Sequence, residues 1–364
     1  MLLRPNEYGL YCEIGDFYID PWRPVKRAII THGHSDHSRW GHKHYLATGL
    51  SEGIMRRRLG DINLQTMPYG HSKTIKGVKV SFHPAGHLLG SAQVRVEHKG
   101  EVWVVTGDYK LGKDKTCAEF EPVKCNTFIT ESTFGLPIYR WKPEAELETE
   151  MNEWWKKNAE QGKTSLIYAY SLGKAQRVIS CLDPSIGTIY THGSVEKMND
   201  AYREKGVDLP PTKYLLSEDN KENYKTGIVI APPSFDNAAS LRRFKQKARA
   251  FASGWMQIRG NRRRRGIEKG FVMSDHADWP GLISAIEATG AENIMVTHGY
   301  TQVLSKWLTE QGYNAVPLET QYQGTEDEDN DEESQLAKSN PMSIIKPKTS
   351  LDTDKGDTNP EETE

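Results

Sequence analysis

The sequence predicts an α/β protein in which a second α/β unit interrupts the first. Two observations carry that expectation. Short strand-like runs alternate with helix-like runs along most of the 364 residues, a rhythm that packs helices on sheets. Polar groups of metal-binding type stand just past strand-like runs both before and after the middle of the chain, so the two flanks belong to one scaffold with its site on one rim.

In order, "LYCEIGDFYID" predicts two strands around Gly15-Asp16. "RAIITHG" is a short apolar run ending in a histidine loop, and "VKVSFHPAGH" is a strand ending at His87. "SAQVRVEHKGEVWVVTGD" predicts a hairpin turning at Lys99-Gly100 and ending at Asp108, and "NTFITEST" is a strand ending near Glu131. From about Ile138 the rhythm changes. "WKPEAELETEMNEWWKKNAEQG" predicts a helix of about five turns, "TSLIYAY" a strand, and "SLGKAQRVISCL" a helix capped by Ser171. "GTIYTHG", "TGIVIAPPS" and "ARAFASGW" add three short strands. In "GFVMSDHADWPGLISAIEATG" a strand again ends in His and Asp before a helix. "ENIMVTHG", the helix "YTQVLSKWLTEQG" and the strand "YNAVPLE" close the body.

Composition narrows the classes. No apolar run approaches membrane-span length, and "MLLRPNEYGL" lacks a signal-peptide pattern. The four cysteines form no C-x-x-C pair, so a disulfide framework or zinc knuckle is not expected and a reducing cytoplasm is the default. From Tyr322 to Glu364 there are 13 acidic and 4 basic residues, a net of −9 against −2 for the whole chain, which leaves +7 on residues 1–321. The tail, with "TEDEDNDEE", is too polar to bury a core and is expected to be disordered. The basic body suits a polyanionic partner.

"THGHSDH" (31–37) packs three of the chain's 12 histidines and one aspartate into seven positions. Such groups waste hydrogen-bonding capacity unless a cation holds them together, so a metal site is the simple explanation. Two further "THG" triplets contain His192 and His298. His298 is the preferred site residue because it follows the His276 loop by 22 positions, whereas His192 lies in the middle unit as a loop histidine.

His32-x-His34-x-Asp36-His37, His87 in "AGHLLGSAQV" and Asp108 in "TGDY" resemble the metallo-β-lactamase fold. Glu131 in "TESTFG", His276 in "SDHAD" and His298 in "THG" resemble the extra motifs of its β-CASP nuclease branch, and "GKAQR" (173–177) resembles a helix of that branch's insertion. The order and spacing match from residue 8 to about 320, with the greatest likeness to bacterial ligase-associated DNA exonucleases. The resemblance implies an αββα sandwich (1–135 and 267–321), an inserted α/β β-CASP-like cap (136–266) and the acidic tail (322–364).

It also implies roles. His32, His34 and His87 would hold one divalent metal, Asp36, His37 and His298 another, and Asp108 both. Asp20, closing "FYID", would steady the ligand loop from behind. Asp36, His276 and Glu131 are the catalytic candidates: His276 as the acid that protonates the leaving oxygen, Glu131 as the group that orients it and raises its pKa. The lack of cysteine ligands suits zinc or manganese. Arg262, Arg263, Arg264 and Arg265 in "NRRRRG", together with Lys174 and Arg177, are assigned to substrate phosphates, and "LRRFKQKAR" adds five basic residues, some on one helical face. The expected partner is nucleic acid, DNA ahead of RNA, with a repair ligase and helicase implied by the resemblance and no membrane. Eukaryotic DNA-repair members often carry valine where His298 stands, and RNA-processing members also carry histidine, so an RNA maturation nuclease is the alternative. A small-molecule hydrolase needs neither the extra motifs nor the basic cap, and an inactive binding scaffold would not retain all seven ligand candidates.

Overall fold

The computed structural model describes residues 1–217, 221–237, 239–258 and 267–320. The acidic tail and Arg262–Arg265 lie outside them.

Three sheets organise the chain. The first runs in chain order: β1 (Arg4–Asn6), β2 (Gly9–Cys12), β3 (Phe17–Ile19), β4 (Arg27–Ile29), β5 (His44–Thr48) and β6 (Leu64–Met67). Its first two pairings are antiparallel and the rest parallel. The second comprises β7 (Ser72–Ile75), β8 (Val78–Pro84), β9 (Ala92–His98), β10 (Glu101–Val105) and β11 (Thr127–Ser132), continued on the β11 side by β18 (Asn293–Gly299) and β19 (Asn314–Pro317). The third is wholly parallel, in the order β14 (Thr212–Tyr214), β13 (Ile189–Thr191), β15 (Ile228–Ala231), β12 (Thr164–Tyr168), β16 (Lys247–Ala252), β17 (Lys269–Phe271).

Burial follows from the strand patterns. Leu10, Phe17, Ile19, Val80, Val94 and Val105 belong to one core shared by the first two sheets. The other face of the first sheet packs Ala28, Ile30 and Tyr45 on Met55 of α1 (Glu52–Leu59). The other face of the second packs Val104, Phe128 and Val296 on α5 (Trp279–Thr289) and α6 (Thr301–Glu310). Every residue of β12 and of β15 is buried, as parallel strands covered on both faces require. The helices α2 (Glu144–Glu160), α3 (Lys174–Ser180) and α4 (Gly193–Glu204) supply one of those covers, and the same cluster takes in Ile54, Leu88 and Leu89 from the first unit.

The hairpin turn at Lys99-Gly100 has both residues left-handed (φ 51 and 86), the conformation a two-residue hairpin prefers. Three expectations need correction. Ser171 does not cap α3: Gly173 stands at the cap position and the Ser171 hydroxyl bonds Ser194 instead. "LRRFKQKAR" forms no α-helix; a short 3-10 turn (Ala239–Arg243) passes into β16, whose Arg249 pairs with Asp236 at 3.0 Å. The return to the first unit does not come at 267, because Lys269–Phe271 still pairs with β16 at the edge of the third sheet. His192 is a loop histidine as expected, between β13 and α4, where it caps α4 with its ring accepting from Ser194 N at 3.3 Å.

Candidate metal centre

The histidine loop leaves β4 and is fixed from two sides. Past β3, Asp20 takes a left-handed backbone (φ 43), which aspartate tolerates better than most residues. Its carboxylate accepts Thr31 N at 2.8 Å and Thr31 Oγ1 at 2.5 Å, and meets His37 Nδ1 at 2.7 Å. With Nδ1 engaged, His37 presents Nε2 to the site. From the other side comes the loop after β10. At Gly107 (φ 57) a Cβ would lie 2.5 Å from Thr31 Oγ1, so only glycine lets the segment bearing Asp108 lie against the histidine loop.

Asp108 Oδ2 lies 3.4 Å from His32 Nε2, 3.5 Å from His37 Nε2 and 3.8 Å from His87 Nε2. His87 Nε2 stands 3.0 Å from His34 Nδ1. Ligand atoms of His32, His34, His87 and Asp108 all fall within 4.8 Å of one another, and His32, Asp36 and His37 form a second such group. His298 enters by a different device. In the β11–β18 pairing Glu131 faces Thr297 and Ser132 faces Gly299, so His298 is the extra residue of a bulge. Its backbone is left-handed (φ 55) and its ring lies nearly parallel to that of His37, 5.4 Å away. It falls outside the His/Asp groups found among the described residues.

The donor set fits divalent cations. His32 Nε2 and His37 Nε2 are buried without a hydrogen-bond partner, a costly arrangement for polar atoms unless a cation takes their lone pairs. Burial pushes the pKa of His32 well below the usual imidazole range, and His37 and His87 push it further, so its ring is neutral. Burial also lowers His87. At His37 burial opposes the proton, but Asp36, Asp108 and Asp20 outweigh it and hold the pKa well above the ordinary value. Burial opposes ionisation of Asp108, yet His37 and His276 keep its carboxyl well below the usual range. A cation would replace the positive charge that these carboxylates now draw from protons.

Beside this cluster lies a buried dyad. His276 Nδ1 stands 3.0 and 2.8 Å from the two Glu131 oxygens, and Glu131 also accepts Tyr109 N at 2.8 Å. Burial works against a proton on His276, but Glu131 and then Asp108 overcome it and raise the pKa to about 10. Asp278 is the N-cap of α5, accepting from Gly281 N at 2.9 Å, so "SDHAD" divides its labour between capping and the dyad.

The other assigned residues behave differently. Lys174 and Arg177 are each 5% exposed and engaged internally, Lys174 with Asp275 at 2.9 Å and Arg177 with Glu144 at 2.9 Å. Their charge is met inside the protein and not offered to a phosphate. Thr31, which links Asp20 to the histidine loop, and Asp275 are site residues that the sequence motifs do not single out. Asp275 joins His87 and His276 in a further ligand-type group. The adjacency of Thr31 to His32, and of Asp275 to His276, was the available signal.

No family model matches the chain. It is 29% identical over 312 residues to a protein described as a "probable DNA ligase" from Opitutus terrae, covering 85% of this chain and 30% of that protein. It is 30% identical over 122 residues to endoribonuclease YSH1 of Saccharomyces cerevisiae, covering 33% of this chain and 15% of that one. The chain thus spans less than a third of either relative. In three dimensions it is similar to the crystal structure of a protein of unknown function from Enterococcus faecalis, with a TM-score of 0.57 and 11% identity over 81% of this chain and 79% of that one. The mixed sheets, their helices and the His/Asp cluster fit the metallo-β-lactamase/β-CASP fold. Among proteins of that fold the chain resembles the β-CASP-type nucleases, and the ligase relative is consistent with their ligase-associated branch.

Proposed function

We propose that this chain is a two-metal phosphodiesterase that trims DNA ends in repair. The reading is supported above all by the buried His276–Glu131 pair standing beside a His/Asp cluster with two orphaned imidazole nitrogens. In this reading His32, His34 and His87 would hold one divalent ion, Asp36, His37 and His298 would hold the other, and Asp108 would serve both. Zinc and manganese both suit these donors. Bound there, the ions would supply Lewis acidity for activating water and for screening phosphate charge. The chain's own residues do the rest. Asp20 holds His37 through Nδ1. His276 carries a proton at neutral pH and passes it to the leaving oxygen, while Glu131 fixes the ring through Nδ1. Asp36, whose Oδ2 lies 3.4 Å from His37 Nε2, is the remaining proposed catalytic residue.

The first two sheets and their covering helices would form the αββα sandwich. The third sheet would be the cap, with the return crossing after Phe271. Arg262–Arg265 remain the proposed phosphate contacts of the cap. The ligase relative supports DNA as substrate and a repair ligase as partner; a helicase partner rests on the family resemblance alone; the endoribonuclease relative supports RNA processing as the second reading. Among the described residues no helix is long and apolar enough to cross a membrane. The four cysteines are free, which agrees with a reducing, cytoplasmic setting.

The test compares end-labelled linear DNA, closed circular DNA and matched RNA with zinc or manganese. Stepwise loss from DNA ends, falling steeply with salt, is expected. Rapid cutting of the circle would reject end trimming, and preference for RNA would move the assignment to the second reading.

A further inference from the structure

We propose that Leu172, Lys174 and Arg177, at the start of α3 in the third-sheet unit, are positioning residues for His34 and His87. Seating of that unit and cation affinity at these two histidines would then be one coupled equilibrium. The inference rests on the metal-centre reading above.

Two backbone carbonyls aim the two rings. His34 Nε2 lies 3.2 Å from Leu172 O, so that nitrogen donates its proton and Nδ1 is left with a lone pair. His87 Nδ1 lies 2.9 Å from Asp275 O, so it donates there and Nε2 is left with a lone pair. The two unprotonated nitrogens face each other at 3.0 Å, a repulsive arrangement for two lone pairs that a cation between them would turn into ligation. Each carbonyl selects the tautomer that can bind metal.

Both carbonyls are held by α3 or by the loop entering it. Leu172 is 1% exposed and packs in the same cluster as Ile54 and Leu88 of the first unit. Lys174 Nζ pairs with Asp275 Oδ1 at 2.9 Å, in a residue 3% exposed. Arg177 donates to Ser274 O and is itself braced by Glu144 Oε2 at 2.9 Å and Asp114 Oδ2 at 3.2 Å. Buried ion pairs rarely add much net stability, because desolvation offsets the attraction. Their effect here is to fix residues 274–276, which bear both the carbonyl that aims His87 and the His276 ring.

The coupling is one-sided. Among the described residues, the Nδ1 atoms of His32 and His37 meet groups of the first unit: Thr31 Oγ1 at 3.1 Å from His32 Nδ1, and Asp20 at 2.7 Å from His37 Nδ1. A cation that binds only the seated arrangement stabilises it, and by reciprocity whatever unseats α3 weakens that cation. The cation that Asp36, His37 and His298 would hold is linked to α3 only through the shared Asp108.

The experiment titrates the metal-free 364-residue chain with zinc, reading affinity by competition with a chromophoric chelator and exchange of backbone amides by mass spectrometry. In the parent chain, zinc should slow exchange across 172–181 as well as in the ligand loops. In Lys174→Met and Arg177→Met one binding phase should weaken by about tenfold or more, the scale for losing a group that orients a ligand, while the other phase changes much less. Arg203→Met is the control. It breaks contacts to Glu196 at 3.1 Å and Thr212 at 2.8 Å within the same unit but away from the ligands, and should leave both phases intact. If either test variant fails to fold, the parent exchange pattern decides: slowed amides in α3 support the clamp and unchanged ones overturn it. Zinc binding with equal affinity in all variants and no change in α3 would overturn the clamp and leave the metal centre standing. No zinc binding by the parent chain would overturn the metal centre, and the clamp with it.

Discussion

The ligand loops of the first two sheets and the start of α3 meet at one place but are built in opposite ways. In the loops, side chains do the work and the backbone is bent to present them. Asp20 and His298 sit at φ 43 and 55, and Gly107 and Gly299 allow contacts that a Cβ would block. At the start of α3 the backbone itself supplies the contact, through Leu172 O, and the charged side chains of Lys174 and Arg177 lock the segment bearing the second carbonyl. The first kind of site is written in residue identities. The second is written in packing.

Substitutions can separate the two. The largest effect is expected for Asp108→Ala, which removes the carboxylate shared by His32, His37 and His87. Hydrolysis should fall below detection while circular dichroism stays native; retained activity would detach Asp108 from the chemistry. Next is His276→Ala, expected to slow cleavage by roughly 10²-fold or more while metal content is kept. A substrate whose leaving group needs no proton should recover much of that loss, and equal slowing on both would assign His276 another task.

Metal binding should also strengthen with pH. Asp36, Asp108 and Asp20 hold a proton on metal-free His37 well above the usual imidazole range, so a cation must displace it. The protonated form dominates below that raised pKa, and affinity should gain up to about tenfold per pH unit for each proton released. Calorimetry in buffers of different ionisation enthalpy reads that proton directly; zero release would contradict the assignment of His37 as a ligand.

A smaller effect is expected from Gly299→Ala. The glycine has φ 73, and a Cβ would lie 2.4 Å from Ser132 O and 2.6 Å from Thr133 Cα. Strain of about 1–3 kcal/mol should appear as a lower Tm, together with weaker metal binding because the bulge aims His298. Removing residues 322–364 should change neither Tm nor metal content, since their composition opposes a packed core.

How much was legible follows the same division. The His/Asp motifs announced themselves because few other uses need such groups so close together. The strands that deliver Asp108 and Glu131, and the Lys99-Gly100 turn, were readable from alternation and turn chemistry. Lys174 and Arg177 were assigned to phosphate because a sequence shows charge but not the Asp275, Glu144 and Asp114 that neutralise it. Leu172 could not be singled out at all, since every residue carries a carbonyl. The strand Lys269–Phe271 was placed on the wrong side of the insertion because three residues at a sheet edge carry no period.

That the His/Asp cluster holds two cations is the expectation on which the others depend. Elemental analysis of the chain, stripped and then reconstituted with zinc or manganese, tests it most directly. Two ions per parent chain are expected, with fewer in Asp108→Ala. Full hydrolytic activity with less than one ion per chain would contradict the account.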